Sequence, residues 1–181
     1  MIETPQLLIR QFIAADLQDL YDYLSLPEIY CFEPGVPLTL EETRALLAER
    51  IQGNEFFAVV LKENQKMIGH LFFARVEPAE WNTFELGYIF NPGFQGRGYA
   101  SEAAAALVDD AFRRLGAHRI LARCDPENVA SWRLLERLGF AREGHFKSNH
   151  FFRRDADGNP LWKDAFEYSL LEKDMTHDCD H

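Results

Sequence analysis

The sequence predicts one α/β domain built on a mixed β-sheet of about seven strands, flanked by about four helices. Three observations carry this expectation. Short apolar runs alternate with amphipathic stretches along all 181 residues. A strand from Thr83 to Phe90, an Ala-rich helix from about Tyr99 to Leu115 and a strand from Arg119 to Cys124 follow one another, which implies a right-handed parallel crossover. Hairpins on either side of that unit imply antiparallel neighbours.

Taken in order, Leu7 to Phe12 reads as the first strand. Leu17, Leu20, Tyr21 and Leu24 repeat at helical spacing, and Pro27 stops that helix. Ile29 to Leu38 forms an aromatic, kinked loop with Tyr30, Phe32, Pro34, Gly35 and Pro37. Thr39 with Glu42 makes a capping box that opens a helix to about Ile51. Glu55 to Leu61 and Met67 to Val76 flank the polar turn Glu63-Asn64-Gln65-Lys66 as a hairpin. The strand from Thr83 ends at Asn91-Pro92, and Gly116 terminates the Ala-rich helix. Asn128 caps a fourth helix that stops at Gly139. Phe140 to Phe152 and Leu161 to Leu171 close the chain as an extended pair around the Asp-Gly-Asn-Pro turn. Residues 1–175 form the domain and 176–181 a short tail.

Composition narrows the function. A chain of this size buries roughly 70% of its unfolded surface and needs no disulfide or metal staple. Nineteen basic residues against 29 acidic ones give a net charge of −10, which argues against nucleic acid and suits a cationic substrate. No apolar run approaches a membrane span, and Met1-Ile2-Glu3 does not begin a signal peptide. Cys31, Cys124 and Cys179 are sparse, odd in number and far apart, as expected in the reducing cytoplasm. The tail His177-Asp178-Cys179-Asp180-His181 reads as a frayed terminus, and no metal is assigned.

The most informative segment is the strand that runs through Asn91-Pro92-Gly93-Phe94-Gln95-Gly96-Arg97-Gly98 into a helix at Tyr99-Ala100. Glycines let the backbone turn tightly, and a helix N-terminus offers unpaired N–H groups with a partial positive charge, so the arrangement suits a phosphate or pyrophosphate. A P-loop would need Lys and then Ser or Thr after Gly98, where Tyr99 and Ala100 stand. A dinucleotide fingerprint from Gly96 would need Gly or Ala where Ser101 stands. Both alternatives fail.

Gln95-Gly96-Arg97-Gly98-Tyr99-Ala100 resembles the acyl-CoA signature of the GNAT N-acetyltransferases. Asp125-Pro126-Glu127-Asn128-Val129-Ala130-Ser131, then Leu135 to Phe140 and Glu143-Gly144, are similar to the RimJ/RimL branch, as is the opening Thr4 to Arg10. The resemblance implies a splayed sheet with acetyl-CoA wedged where the strands ending at Phe90 and Cys124 separate. It implies that backbone N–H groups of Gln95, Gly96, Arg97, Gly98, Tyr99 and Ala100 hold the pyrophosphate, with Arg97 also able to pair with a phosphate oxygen. The pantetheine arm would lie along Ile89 and Phe90, and Asn128 would be a further ligand to it while capping its helix.

Acetyl transfer to an amine needs a deprotonated nucleophile, a stabilised oxyanion and help for the departing thiolate. Glu85 matches the family's general base, and its other reading is a solvated strand carboxylate. Phe84, Leu86, Tyr88 and Phe90 are expected to desolvate it. A backbone N–H near Phe90 is the expected oxyanion donor. The tyrosine that many relatives place on the fourth helix is replaced here by Leu135, so the usual acid is missing. Ser131 either relays a proton to sulfur or caps backbone N–H groups. Cys124 reads as core packing, His70 and His118 as strand residues without visible partners, and His145 and His150 as solvated.

By the same resemblance, the loop Ile29 to Leu38 and the hairpin loop from about Asn149 to Trp162 select the acceptor, and Glu28, Glu33, Glu41 and Glu42 could attract a cation. The leading expectation is acetylation of a protein or peptide N-terminal α-amine. A small-molecule amine, such as a polyamine or aminoglycoside, is the alternative, and a non-catalytic acyl-CoA-binding module the third. Fifteen phenylalanines fit either a homodimer surface or a large core.

Overall fold

In the computed structural model, which describes residues 1–174, the elements alternate much as their apolar periodicity requires. The strands are β1 (Ile2–Glu3), β2 (Leu7–Arg10), β3 (Phe56–Leu61), β4 (Met67–Arg75), β5 (Thr83–Phe90), β6 (Arg119–Cys124), β7 (Ala141–His150) and β8 (Lys163–Leu171). The helices are α1 (Leu17–Leu24), α2 (Leu40–Gln52), α3 (Tyr99–Arg114) and α4 (Val129–Arg137). One sheet runs β1-β2-β3-β4-β5-β6-β8-β7. Only β5 and β6 are parallel, joined by the crossover through α3. Eight strands replace the expected seven because Ile2 and Glu3 pair with Ile9 and Leu8. A two-residue strand has no periodicity to read and exists only through its partner. The tail His177 to His181, with Cys179, lies outside the described residues.

Two apolar cores cover the two faces of the sheet. Ala103, Ala104, Leu107, Val108, Ala111 and Phe112 of α3 and Leu134 and Leu135 of α4 pack on Leu7, Ile9, Leu86 and Ile120. The three buried alanines have no exposed surface and let α3 approach the strands closely. On the other face, Leu20, Tyr23 and Leu24 of α1 and Leu47 of α2 pack on Ala58, Val60 and Met67. Each large apolar side chain buried this way contributes roughly 1.5–3 kcal/mol, which the loss of chain entropy largely offsets.

Local signals hold where they are chemically specific. The Thr39 N–H donates to Glu42 Oε2 at 2.8 Å and the Glu42 N–H to Thr39 Oγ1 at 3.3 Å, completing the capping box of α2. At the end of α3, Gly116 takes a φ of +64° and the Ala117 N–H returns to the Ala111 carbonyl at 3.1 Å. Among the described residues no helix is long and apolar enough to cross a membrane.

Candidate active site

The site begins where two strands part. β5 pairs with β6 only through Thr83–Glu85 opposite Arg119–Leu121. Beyond that point β5 stays on β4 as far as Phe90, while β6 stays on β8 as far as Cys124. Gly69 of β4 sits opposite Phe90, and a Cβ there would lie 2.6 Å from the Ile89 carbonyl oxygen and 2.7 Å from the Phe90 ring. Only glycine allows the end of β5 to lie so close, which fixes the wedge. Gln95 adds to this by donating from Nε2 to the Phe90 carbonyl at 3.3 Å.

A cavity of ≈ 370 Å³ fills the gap. Phe32 and Glu33 line it from the α1–α2 connection, Glu85, Gly87 and Tyr88 from β5, Arg123 and Cys124 from β6, and Asn128 and Ser131 from the start of α4. Asn149, His150 and Phe152 come from the β7–β8 hairpin. Arg153 Nη2 donates to the Tyr30 carbonyl at 2.6 Å, tying together the two loops expected to select the acceptor. Of the expected site residues, Glu85, Asn128 and Ser131 meet in this cavity. Residues Gln95 to Ala100 form the turn into α3, and Ile89 and Phe90 lie on the parted end of β5.

Alternation along β5 corrects the expected surroundings of Glu85. Phe84, Leu86 and Phe90 pack in the α3–α4 core with Tyr88 against it, whereas Ile89 packs in the α1–α2 core. Glu85 and Gly87 share the face of Ile89, so the aromatic neighbours in sequence point away from Glu85. Its side chain is 35% exposed and stands 3.9 Å from Arg123 Nη1. Arg123 is held in turn by Glu167, with Nε 2.8 Å from Oε2. The second carboxylate, Glu33, has no such partner among the described residues. Desolvation pushes its pKa up to about 7.

At the other wall, the hydroxyls of Tyr88 and Ser131 lie 2.9 Å apart, and the Tyr88 hydroxyl also donates to the Ser131 carbonyl at 3.2 Å. Burial holds the Tyr88 hydroxyl above the ordinary phenol range, so it stays a proton donor. Leu135 is fully buried in the core. A phenol hydroxyl is thus supplied to the α4 start by β5, although the helix position carries leucine. Sequence reading passed over Tyr88 because it lies in an apolar strand pattern, and its partner is 43 residues away.

Asn128 Oδ1 accepts from the Ser131 N–H at 3.2 Å, which caps α4 and leaves the Ser131 hydroxyl to Tyr88. Asp125 prepares this turn by accepting from the Glu127 N–H at 2.8 Å, with Lys163 Nζ 3.6 Å from its carboxylate. Cys124 faces the cavity rather than the core alone, and burial pushes its thiol up to about 11. A thiol so protonated is a poor nucleophile. His150 lines the cavity, while His145 pairs with Asp164 at 2.7 Å. His70 does have a partner, the Tyr23 hydroxyl at 2.6 Å, and burial lowers its pKa well below the usual value.

Gly96 and Gly98 adopt φ of +74° and +83°, and a Cβ on either would meet no atom within 4 Å. Gly98 is the N-cap of the 16-residue α3 and offers no capping side chain. Open space thus faces uncapped N–H groups at the start of a long helix, which fits a pyrophosphate.

Residues 6–141 match the family model described as an acetyltransferase (GNAT) domain. The chain belongs to the GNAT acetyltransferases. It is 37% identical over 174 residues to YnaD, an uncharacterized N-acetyltransferase of Bacillus subtilis (strain 168), covering 96% of this chain and 98% of the relative. A GNAT-family acetyltransferase structure from Bacillus anthracis superposes with a TM-score of 0.87 at 34% identity, covering 95% of this chain and 98% of that one. The [Ribosomal protein uS5]-alanine N-acetyltransferase of Escherichia coli (strain K12) is 32% identical over 126 residues, 69% of this chain and 62% of the relative. As a GNAT acetyltransferase this protein is an acyltransferase that uses acetyl-CoA.

Proposed function

We propose that this GNAT acetyltransferase moves the acetyl group of acetyl-CoA directly to a primary amine, foremost the N-terminal α-amine of a protein or peptide. The observation that carries the reading is the cavity between β5 and β6, which joins a carboxylate wall to a hydroxyl pair. Acetyl-CoA supplies the activated thioester. The N–H groups from Gln95 to Ala100 hold its pyrophosphate, with Arg97 pairing to a phosphate oxygen. The parted edge of β5 at Ile89 and Phe90 takes the pantetheine arm as a partner strand, and the Asn128 amide binds it beside the α4 cap. A backbone N–H near Phe90 polarises the thioester carbonyl.

Glu85 draws in the acceptor ammonium and holds it at the cavity wall. Tyr88 donates to Ser131, and the Ser131 hydroxyl hydrogen-bonds the departing sulfur. A thiol with a pKa of about 8.5 needs only this modest help. Support for an α-amine acceptor comes from the uS5-alanine acetyltransferase relative. The two carboxylates on the cavity, Glu33 and Glu85, favour a second reading in which a small polyamine or aminoglycoside is the acceptor. The edge strand β7, ten residues long and exposed over most of its length, is where we place a homodimer contact in a cytoplasmic enzyme.

Free-thiol release from acetyl-CoA tests the acceptor class, with one pool of peptides bearing varied N-termini and one of polyamines and aminoglycosides. Release with peptides alone is the expected result. Release with the second pool alone selects the second reading.

A further inference from the structure

We infer that Glu33, rather than the expected Glu85, is the carboxylate that deprotonates the acceptor ammonium, with Glu85 acting beside it as a charge that holds the acceptor. The inference rests on the proposed transfer to an amine. It starts from an asymmetry between the two carboxylates of one cavity. Arg123 stands 3.9 Å from Glu85, so that carboxylate already has a cation beside it. Glu33 is brought in by the α1–α2 connection, and desolvation is the one influence acting on it. No hydrogen bond or ion pair reaches its carboxylate among the described residues.

Its reach is towards the chemistry. The charge of Glu33 acts on the Tyr88 hydroxyl, which is itself bonded to Ser131. The other ionisable groups on the cavity wall are Glu85 and Tyr88 from β5, Arg123, Cys124 and Asp125 from β6 and its following turn, and His150 from β7. Arg123 is engaged by Glu167, and Asp125 by Lys163. Arg153, from the hairpin above, is bonded to the Tyr30 carbonyl. None of these cations is within ion-pair distance of Glu33, so an acceptor ammonium is the cation that completes it.

The balance is straightforward. Glu33 takes one proton from the ammonium, freeing the nitrogen lone pair. That pair forms the N–C bond at the thioester carbonyl, and the C–S bond breaks. The second nitrogen proton is lost as the amide forms, and the thiolate takes up one proton, so the sum is amide, free thiol and one proton. A carboxylate pushed up to about 7 is about half ionised at neutrality and mostly ionised above it, and it holds the transferred proton better than an ordinary glutamate.

The test compares pH profiles of kcat/KM for the full-length wild type, Glu33→Gln, Glu33→Asp and Glu85→Gln, each with the best acceptor from the thiol-release assay. The wild type is expected to show a rising limb near pH 7. Glu33→Gln is expected to lose that limb and at least roughly 100-fold in rate at pH 7.5, while Glu33→Asp keeps a shifted limb. Glu85→Gln is expected to be slower with its limb in place. A limb that survives in Glu33→Gln, or vanishes only in Glu85→Gln, overturns the inference.

A second measurement needs no turnover, and so separates this inference from the acceptor reading. A carboxyl whose folded pKa is raised releases its proton later than in the unfolded chain, so it costs stability as pH rises from about 4.5 to about 7. The thermal midpoint of Glu33→Gln should therefore exceed that of wild type at pH 8 and match it near pH 4. Equal differences at both pH values would overturn the assignment of Glu33, whatever the acceptor proves to be.

Discussion

Removing the Tyr88 hydroxyl by Tyr88→Phe leaves the ring in the α3–α4 core and deletes the 2.9 Å bond to Ser131. If the two hydroxyls act as one relay, Tyr88→Phe and Ser131→Ala should each lower kcat by about 10- to 100-fold, and the double variant should lose little more. Steady-state kinetics with acetyl-CoA varied checks this, because KM for acetyl-CoA should stay within about twofold. On the proposed relay, leucine at position 135 costs the chemistry nothing. Leu135 is buried in the core, while the Tyr88 hydroxyl reaches the start of α4 from β5. Cys124 gives the converse lesson. It shares the cavity, yet its burial keeps the thiol protonated, so proximity alone does not make it a nucleophile.

The wedge between β5 and β6 depends on β4 as an element, through Gly69. Gly69→Ala puts a methyl group against the Ile89 carbonyl and the Phe90 ring, so the end of β5 must move. Overpacking of this kind costs about 1–3 kcal/mol of stability. Because the displaced edge is the one we propose for the pantetheine arm, the variant should also bind acetyl-CoA at least roughly tenfold more weakly, as measured by titration calorimetry. Elements with local chemical signals could be read from the sequence, as the Thr39–Glu42 box, the Asn128 cap and the Gly116 stop illustrate. β1 could not, because two residues carry no period and their partner strand alone defines them.

For the molecule as a whole, the order of elements and the parallel crossover were legible because each is written in a contiguous stretch of chain. The candidate site was legible only in part. Glu85, Asn128, Ser131 and the turn from Gln95 to Ala100 were found through a sequence motif. Tyr88, Arg123 and the place of Glu33 on the cavity wall were not, because each acquires its meaning from residues dozens of positions away. Sequence neighbours also misled at Glu85, where strand alternation turns Phe84 and Leu86 to the opposite face. The cavity gathers these pieces between the two cores, with the carboxylates entering from the α1–α2 side and the hydroxyls from the α4 side. Such an arrangement suits an amine and a thioester meeting in the gap without a covalent enzyme intermediate.

The central claim is that the acetyl group passes straight to an amine in this cavity. Isotope-labelled acetyl-CoA, mixed with the enzyme first alone and then with the acceptor pools, tests it by following the label in intact-protein and small-molecule mass spectra. The account predicts an unlabelled enzyme in both cases and label in the amine once an acceptor is present. Label that first accumulates on Cys124 and then moves to the amine would contradict it.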